Sequence, residues 1–240
     1  MHDNLASDSS GEPAPDHAGV VRPHPSALCR SNEALRQPLT RTEQEAMISA
    51  AAVKVDELLD ILRIDHRRDH NTRHTADRVA KMLVCELLRG RFTAPPKITE
   101  FDNAQAFDQL IVTGPIAVRS TCAHHLLPIY GEAYIGILPA PDGKIVGLSK
   151  YDRIVEYFSA RFQIQEELVA QIANYIEEVS MPRGLAVRIS AVHMCKTQRG
   201  IRATHDARML STVYRGDMLT RPELRREFLS ECQSMERHRG

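Results

Sequence analysis

Tryptophan is absent from this 240-residue chain, and aromatic residues make up only 5% of it. A stacking platform for single-stranded nucleic acid is therefore not expected. Net charge is lacking too, since 31 Lys and Arg balance 31 Asp and Glu. No global basic field recruits nucleic acid, and no acidic tail repels it. No apolar run is long enough to cross a bilayer, and none near the amino terminus has the form of a secretion signal. The cysteines are Cys29, Cys85, Cys122, Cys195 and Cys232, an odd number. The expectation is a reducing, cytoplasmic setting, where thiols serve metal binding or catalysis rather than disulfides. What is present suffices for a folded body: 42% of the residues are apolar, enough for a sizeable core.

Proline and polar residues dominate residues 1–40, which read as a disordered tail unable to offset the entropy of ordering. A helical region is expected over 41–95. It would open on a capping box of Thr42 and Glu45 and continue through Ala51, Val55, Leu58, Leu59 and Leu62 at helical spacing. After a polar loop over 65–74, Thr75 would cap a second helix carrying Val79, Met82, Leu83 and Leu87, with Gly90 as its stop. Residues 96–240 read as a larger mixed unit. Strands are expected near 110–121, 130–138 and 144–148, the last two joined across Pro141-Asp142-Gly143. Helices follow near 151–161 and 165–179, then a strand, a further strand near 209–215 and a terminal helix near 222–232. In the first of those two strands, Leu185, Val187, Ile189, Ala191, His193 and Cys195 share one parity, so an apolar face runs into His193 and Cys195.

Two short stretches carry the chemistry. Cys122-Ala123-His124-His125 and His193-Met194-Cys195 both offer thiol and imidazole groups at metal-ligand spacing. Cys122, His125 and Cys195 make two thiolates and one imidazole, a set that suits zinc and leaves a tetrahedral position open, as catalytic sites do. His124 and His193 would stand beside the metal as proton carriers. A structural zinc completed by His124 or His193 is the alternative reading. Gly147-Leu148-Ser149-Lys150, with Arg153, places a hydroxyl and two cations at a helix start, an arrangement suited to phosphate. Arg199 adds a cation four residues after Cys195. In Gln163-Ile164-Gln165-Glu166, Glu166 can accept two N–H donors from a guanine edge.

Taken together these residues resemble the GTP cyclohydrolase I family over roughly residues 42–232. The motifs are S-T-C-A-H-H-L-L-P, G-x-x-x-I-G-I-L-P, I-V-G-L-S-K, Q-x-Q-E, H-M-C-x-x-x-R-G and T-A-D-R-V-A-K-M. The resemblance implies an α+β tunnelling fold, an antiparallel sheet backed by two helices. It implies a decamer of two stacked five-membered rings, with active sites between subunits. Zinc would be held by Cys122, His125 and Cys195. Glu166 and Gln165 would anchor the guanine of GTP, and Ser149, Lys150, Arg153 and Arg199 the triphosphate, with Arg78 and Lys81 assisting from a neighbouring chain. The implied reaction is hydrolytic opening of the guanine imidazole ring at C8, loss of formate and rearrangement to 7,8-dihydroneopterin triphosphate, with His124 and His193 moving protons.

The chain departs from the family pattern at Glu167, where Arg is common, and at residues 201–209, which are bulkier and more charged. Residues 70–74 are unusually basic. The alternatives to the main reading are a relative acting on another guanine nucleotide and a catalytically inactive regulatory ring.

Overall fold

The computed structural model describes residues 28–237. The first helix, α1 (Arg41–Ile61), starts on an overlapping T-x-x-E box two residues upstream of the expected one. The Thr40 side chain accepts from the Glu43 amide, and the Glu43 carboxylate accepts from the Thr40 amide. Thr40 wins because it holds the extended backbone an N-cap needs. Glu45 pairs with Arg41 instead, along the exposed helix surface. The second helix, α2 (Thr75–Met82), is capped by His74 without a side-chain bond, so Thr75 is its first helical residue rather than its cap. It runs into a π-helical turn, Leu83–Leu87, and a short helix α3 (Arg89–Phe92).

Gly90 lies inside α3 and stops nothing. A Cβ there would sit 1.9 Å from the Tyr157 carbonyl oxygen, so only glycine lets this helix touch the next layer. Its amide donates to the Ala160 carbonyl at 2.9 Å.

Of the expected tail, residues 1–27 lie outside the described residues, and the rest is docked. The Leu35 and Leu39 amides donate to the Arg91 and Phe92 carbonyls. The Asn32 carbonyl accepts from Arg161 at 2.9 Å and from Gln171 at 3.1 Å. Asn32 is itself buried. The pattern of sparse apolar residues concealed this segment, because hydrogen bonds rather than hydrophobic burial hold it.

A small sheet pairs β1 (Glu100–Asp102) with β4 (Lys144–Val146). The larger sheet contains β2 (Ile111–Cys122), β3 (Pro128–Leu138), β5 (Phe162–Gln163), β6 (Gly184–His193) and β7 (Arg208–Gly216), in the order β5-β2-β3-β6-β7. Its strands are antiparallel except at β2 and β5. Pro141-Asp142-Gly143 joins β3 to β4 as expected, but β4 leaves the main sheet to pair with β1.

One face of the sheet presents Ile116, Val118, Ile129, Ala133, Ile135, Leu185, Val187 and Ile189 to α4 (Ser149–Ser159) and α5 (Gln165–Ser180). These helices answer with Ile154, Val155, Leu168, Ile172 and Ile176. Period two in the strands and period 3.6 in the helices supply the two apolar surfaces. After α6 (Met194–Thr197) and α7 (Asp217–Thr220), a third helix, α8 (Pro222–Arg237), covers part of the opposite face. There Phe228 and Cys232 pack with Tyr134, Leu138 and Ala186.

Candidate active site

The strand register brings the two motif stretches together. Ile129 pairs with Ser120 on one side and with His193 on the other, so these three form one row across the sheet. Strands β2 and β6 run in the same direction and leave the sheet at the same edge. Cys122 lies two residues beyond that row on one strand, and Cys195 two residues beyond it on the other. Alternate strands are about 9.5 Å apart, too far for one cation if β6 simply continued. The strand instead ends at His193, and Cys195 lies on α6, not on the strand as its parity implied. With that turn, ligand atoms of Cys122, His125 and Cys195 all lie within 4.8 Å of one another.

The Cys122 turn is locally closed. The Cys122 amide donates to the Leu127 carbonyl, and the Cys122 carbonyl accepts from the amide of Leu126, which takes a left-handed backbone at φ 54°. The Ala123 amide donates to the Gln163 carbonyl, tying the turn to β5. Cys122 is buried while His124 and His125 are exposed, so the ligand set opens to solvent on its imidazole side. Burial raises the Cys195 thiol above its ordinary value, and a hydrogen bond with Cys122 adds to this. A cation between the two sulfurs would reverse that balance by stabilising thiolates. Among the described residues, neither His124 nor His193 joins the three-ligand group.

His193, half-buried, has its pKa lowered, chiefly by burial, with the Glu166 carboxylate opposing and Lys196 adding. Glu166 is therefore an electrostatic neighbour of His193, and it is exposed at the start of α5. Gln165, expected beside it on the base, is instead fully buried. Its amide group is occupied by Ile189, Met209, Ser211 and His193. The sequence held a signal for this: Gln165, Leu168, Ile172 and Ile176 fall on one helical stripe, and that stripe faces the core.

Ser149, Lys150 and Arg153 lie in the first two turns of α4, which begins two residues earlier than expected. The Lys150 amide is used locally, donating to the Gly147 carbonyl. Arg199 adds a charge that acts on Cys195. Arg78 and Lys81 stand exposed on α2, which packs on α1. Among the described residues, no ion pair neutralises Arg78, Lys81, Lys150, Arg153 or Arg199.

Glu167, the acidic departure, is engaged inside the chain: the Asn32 amide donates to its carboxylate. In the 201–209 stretch, Ile201 is 81% exposed and Arg202 holds a left-handed backbone.

Arg161 was missed in the sequence. It is buried, stacks on the rings of Tyr157 and Phe158 at 4.6 Å, and donates to the carbonyls of Gly90 and Asn32. It immediately precedes β5, which pairs with Thr121 and Cys122.

The profile of the GTP cyclohydrolase I family matches residues 51–233. GTP cyclohydrolase 1 of Saccharolobus islandicus is 35% identical over 183 residues, spanning 74% of this chain and 86% of that protein. GTP cyclohydrolase 1 of Flavobacterium johnsoniae is 36% identical over 196 residues, 81% of this chain and 86% of that protein. GTP cyclohydrolase 1 of Chlorobaculum tepidum is 40% identical over 156 residues, 65% of this chain and 68% of that protein. The strand edge that gathers two thiols and an imidazole thus lies within the matched stretch, and the chain belongs to the GTP cyclohydrolase I family.

Proposed function

We propose that this protein is a zinc-dependent GTP cyclohydrolase I, which opens the imidazole ring of GTP at C8, releases formate and yields 7,8-dihydroneopterin triphosphate. The observation that carries this reading is the convergence of Cys122, His125 and Cys195, with no further ligand in the group among the described residues. Two soft sulfurs and one imidazole nitrogen suit zinc better than the oxygen-seeking divalent ions. When bound, zinc supplies a Lewis acid and lowers the pKa of water to about 7.

The remaining work falls to the chain itself. Glu166, exposed at the head of α5, accepts N–H donors from the guanine edge through both carboxylate oxygens. Ser149, Lys150, Arg153 and Arg199 hold the triphosphate; among the described residues no ion pair occupies the three cations, which leaves them available for it. Holding both ends of the nucleotide fixes C8 and removes much of the entropic barrier. His124 and His193 carry protons during ring opening and reclosure.

The exposed position of Arg78 and Lys81 fits a role toward a neighbouring subunit's substrate in a decamer of stacked rings. The mainly antiparallel sheet with two helices on one face supports the reading of a tunnelling-fold subunit, and the free cysteines are compatible with a cytoplasmic setting. The test is incubation of zinc-loaded protein with GTP, GDP and GMP, with measurement of formate and of fluorescent pterin after oxidation. Formate and pterin from GTP are expected. Absence of formate from all three nucleotides removes the proposal, and equal yields from GDP remove the assignment of the triphosphate site.

A further inference from the structure

The amide of Gln165 has only one orientation that its surroundings permit. Its nitrogen lies 3.2 Å from the Ile189 carbonyl oxygen, 3.1 Å from the Met209 carbonyl oxygen and 3.0 Å from the Ser211 hydroxyl. Two of these three groups are backbone carbonyls, which accept and never donate. A flipped amide would set its own oxygen against both, leaving repelling acceptors in a fully buried place. The nitrogen end is therefore fixed by β6 and β7, and with it the oxygen end.

That oxygen lies 2.8 Å from Nε2 of His193. An amide oxygen can only accept, so His193 Nε2 must carry the proton and donate. In the neutral ring the lone pair is then on Nδ1. We propose that Gln165 is a positioning residue that holds His193 in the Nε2–H tautomer, so that Nδ1 is the atom through which His193 serves the reaction. The proposal rests on the reading of His193 as a proton carrier, and it removes the Gln165 side chain from the guanine site. The backbone of two strands sets the tautomer: the carbonyls orient Gln165, and Gln165 orients the imidazole. Rotation of the ring by half a turn would break the 2.8 Å bond, so orientation and tautomer are selected together.

The first experiment needs no substitution. Neutron diffraction from deuterated, zinc-loaded protein is expected to show hydrogen on Nε2 of His193 and the Gln165 nitrogen facing Ile189 and Met209. Hydrogen on Nδ1 alone overturns the proposal.

The second is kinetic, with GTP as substrate and zinc content and circular dichroism measured on every variant. Gln165→Leu is expected to lower kcat roughly 10- to 100-fold, the scale of a misplaced catalytic group, with KM changed less than about 3-fold, well under a factor of ten or 1.4 kcal/mol. In the His193→Ala background the same change is expected to have little further effect, because residues acting as a unit are not additive. A raised KM with kcat retained, or a full additional loss in the double variant, overturns it. Should His193→Ala itself keep wild-type kcat, the proton-carrier reading fails, and the neutron result still decides the tautomer separately.

Discussion

Replacing Arg161 by Met tests how firmly residues 28–39 and the Cys122 turn are joined through one buried cation. Arg161 donates to the Gly90 carbonyl at 3.1 Å and to the Asn32 carbonyl at 2.9 Å. Hydrogen bonds from a charged donor contribute about 1.5–3 kcal/mol each, so two give about 3–6 kcal/mol. Stacking on Tyr157 and Phe158 adds on the order of 1 kcal/mol. Against this stands the cost of holding a guanidinium away from water, visible in the depressed pKa that burial gives Arg161. Methionine recovers that cost and keeps much of the apolar stem's packing. The Gly90 carbonyl, however, loses its side-chain donor, while Gln171 still serves Asn32. A net loss of about 2–4 kcal/mol is expected, which for a chain of this size lowers the melting temperature by roughly 4–16 °C. The effect should reach the Cys122 turn, because Arg161 precedes the strand that pairs with Cys122. Calorimetry of zinc-loaded protein and a competitive chelator titration measure both effects. A melting temperature within about 1 °C of the parent would refute the reasoning.

Cys195→Ser should lose both bound zinc and formate release, whereas His193→Ala should keep zinc and lose most turnover; metal analysis beside the formate assay separates them. Gly90→Ala must move α3 off the Tyr157 carbonyl, which lies only 1.9 Å from the added carbon, and is expected to cost at least about 1–3 kcal/mol in urea unfolding; an unchanged midpoint would contradict the close packing. Burial pushes Tyr151 and Cys232 up to about 12, from ordinary values of 10.0 and 9.0. Since the unfolded chain gives up those protons first, their contribution is complete below pH 9 and is lost as pH rises from 9 to 12. Thermal stability should therefore be flat from pH 7 to about 9 and decline above it, and an undiminished melting temperature at pH 11 would refute this. Consistent with the same burial, Cys232 should resist alkylation at pH 8 in the native protein while reacting fully in denaturant.

Much of the fold was legible because periodicity reports burial directly. The strands around Ile129–Ile137 and Leu185–Ala191 and the stripe Leu168, Ile172, Ile176 all appear where alternation or helical spacing placed them. The three candidate metal ligands were legible from residue type and spacing, and the fold brings them within 4.8 Å of one another. The bend that unites them was not, because period two runs unbroken through Cys195 and nothing local announces α6. The burial of the Gln165 side chain was not read from the sequence either. Its guanine role came from the resemblance alone, whereas its place in the apolar stripe with Leu168, Ile172 and Ile176 matches its buried side chain. Residues 28–39 and Arg161 were illegible, since backbone carbonyls from distant segments hold them, and no sequence pattern records a carbonyl. The cap at Thr40 shows a further limit: two overlapping boxes match equally, and only the entry angle of the chain decides between them.

The docking of Asn32 also constrains the order in which the protein can be completed. Its partners Arg161, Glu167 and Gln171 lie 129, 135 and 139 residues downstream. During synthesis the segment can meet Arg91 and Phe92 early, but Asn32 waits for its own partners until the head of α5 has left the ribosome. Closing so long a loop makes this among the last contacts to form. The amino-terminal strap is thus a late clasp on a body that must already have gathered its sheet.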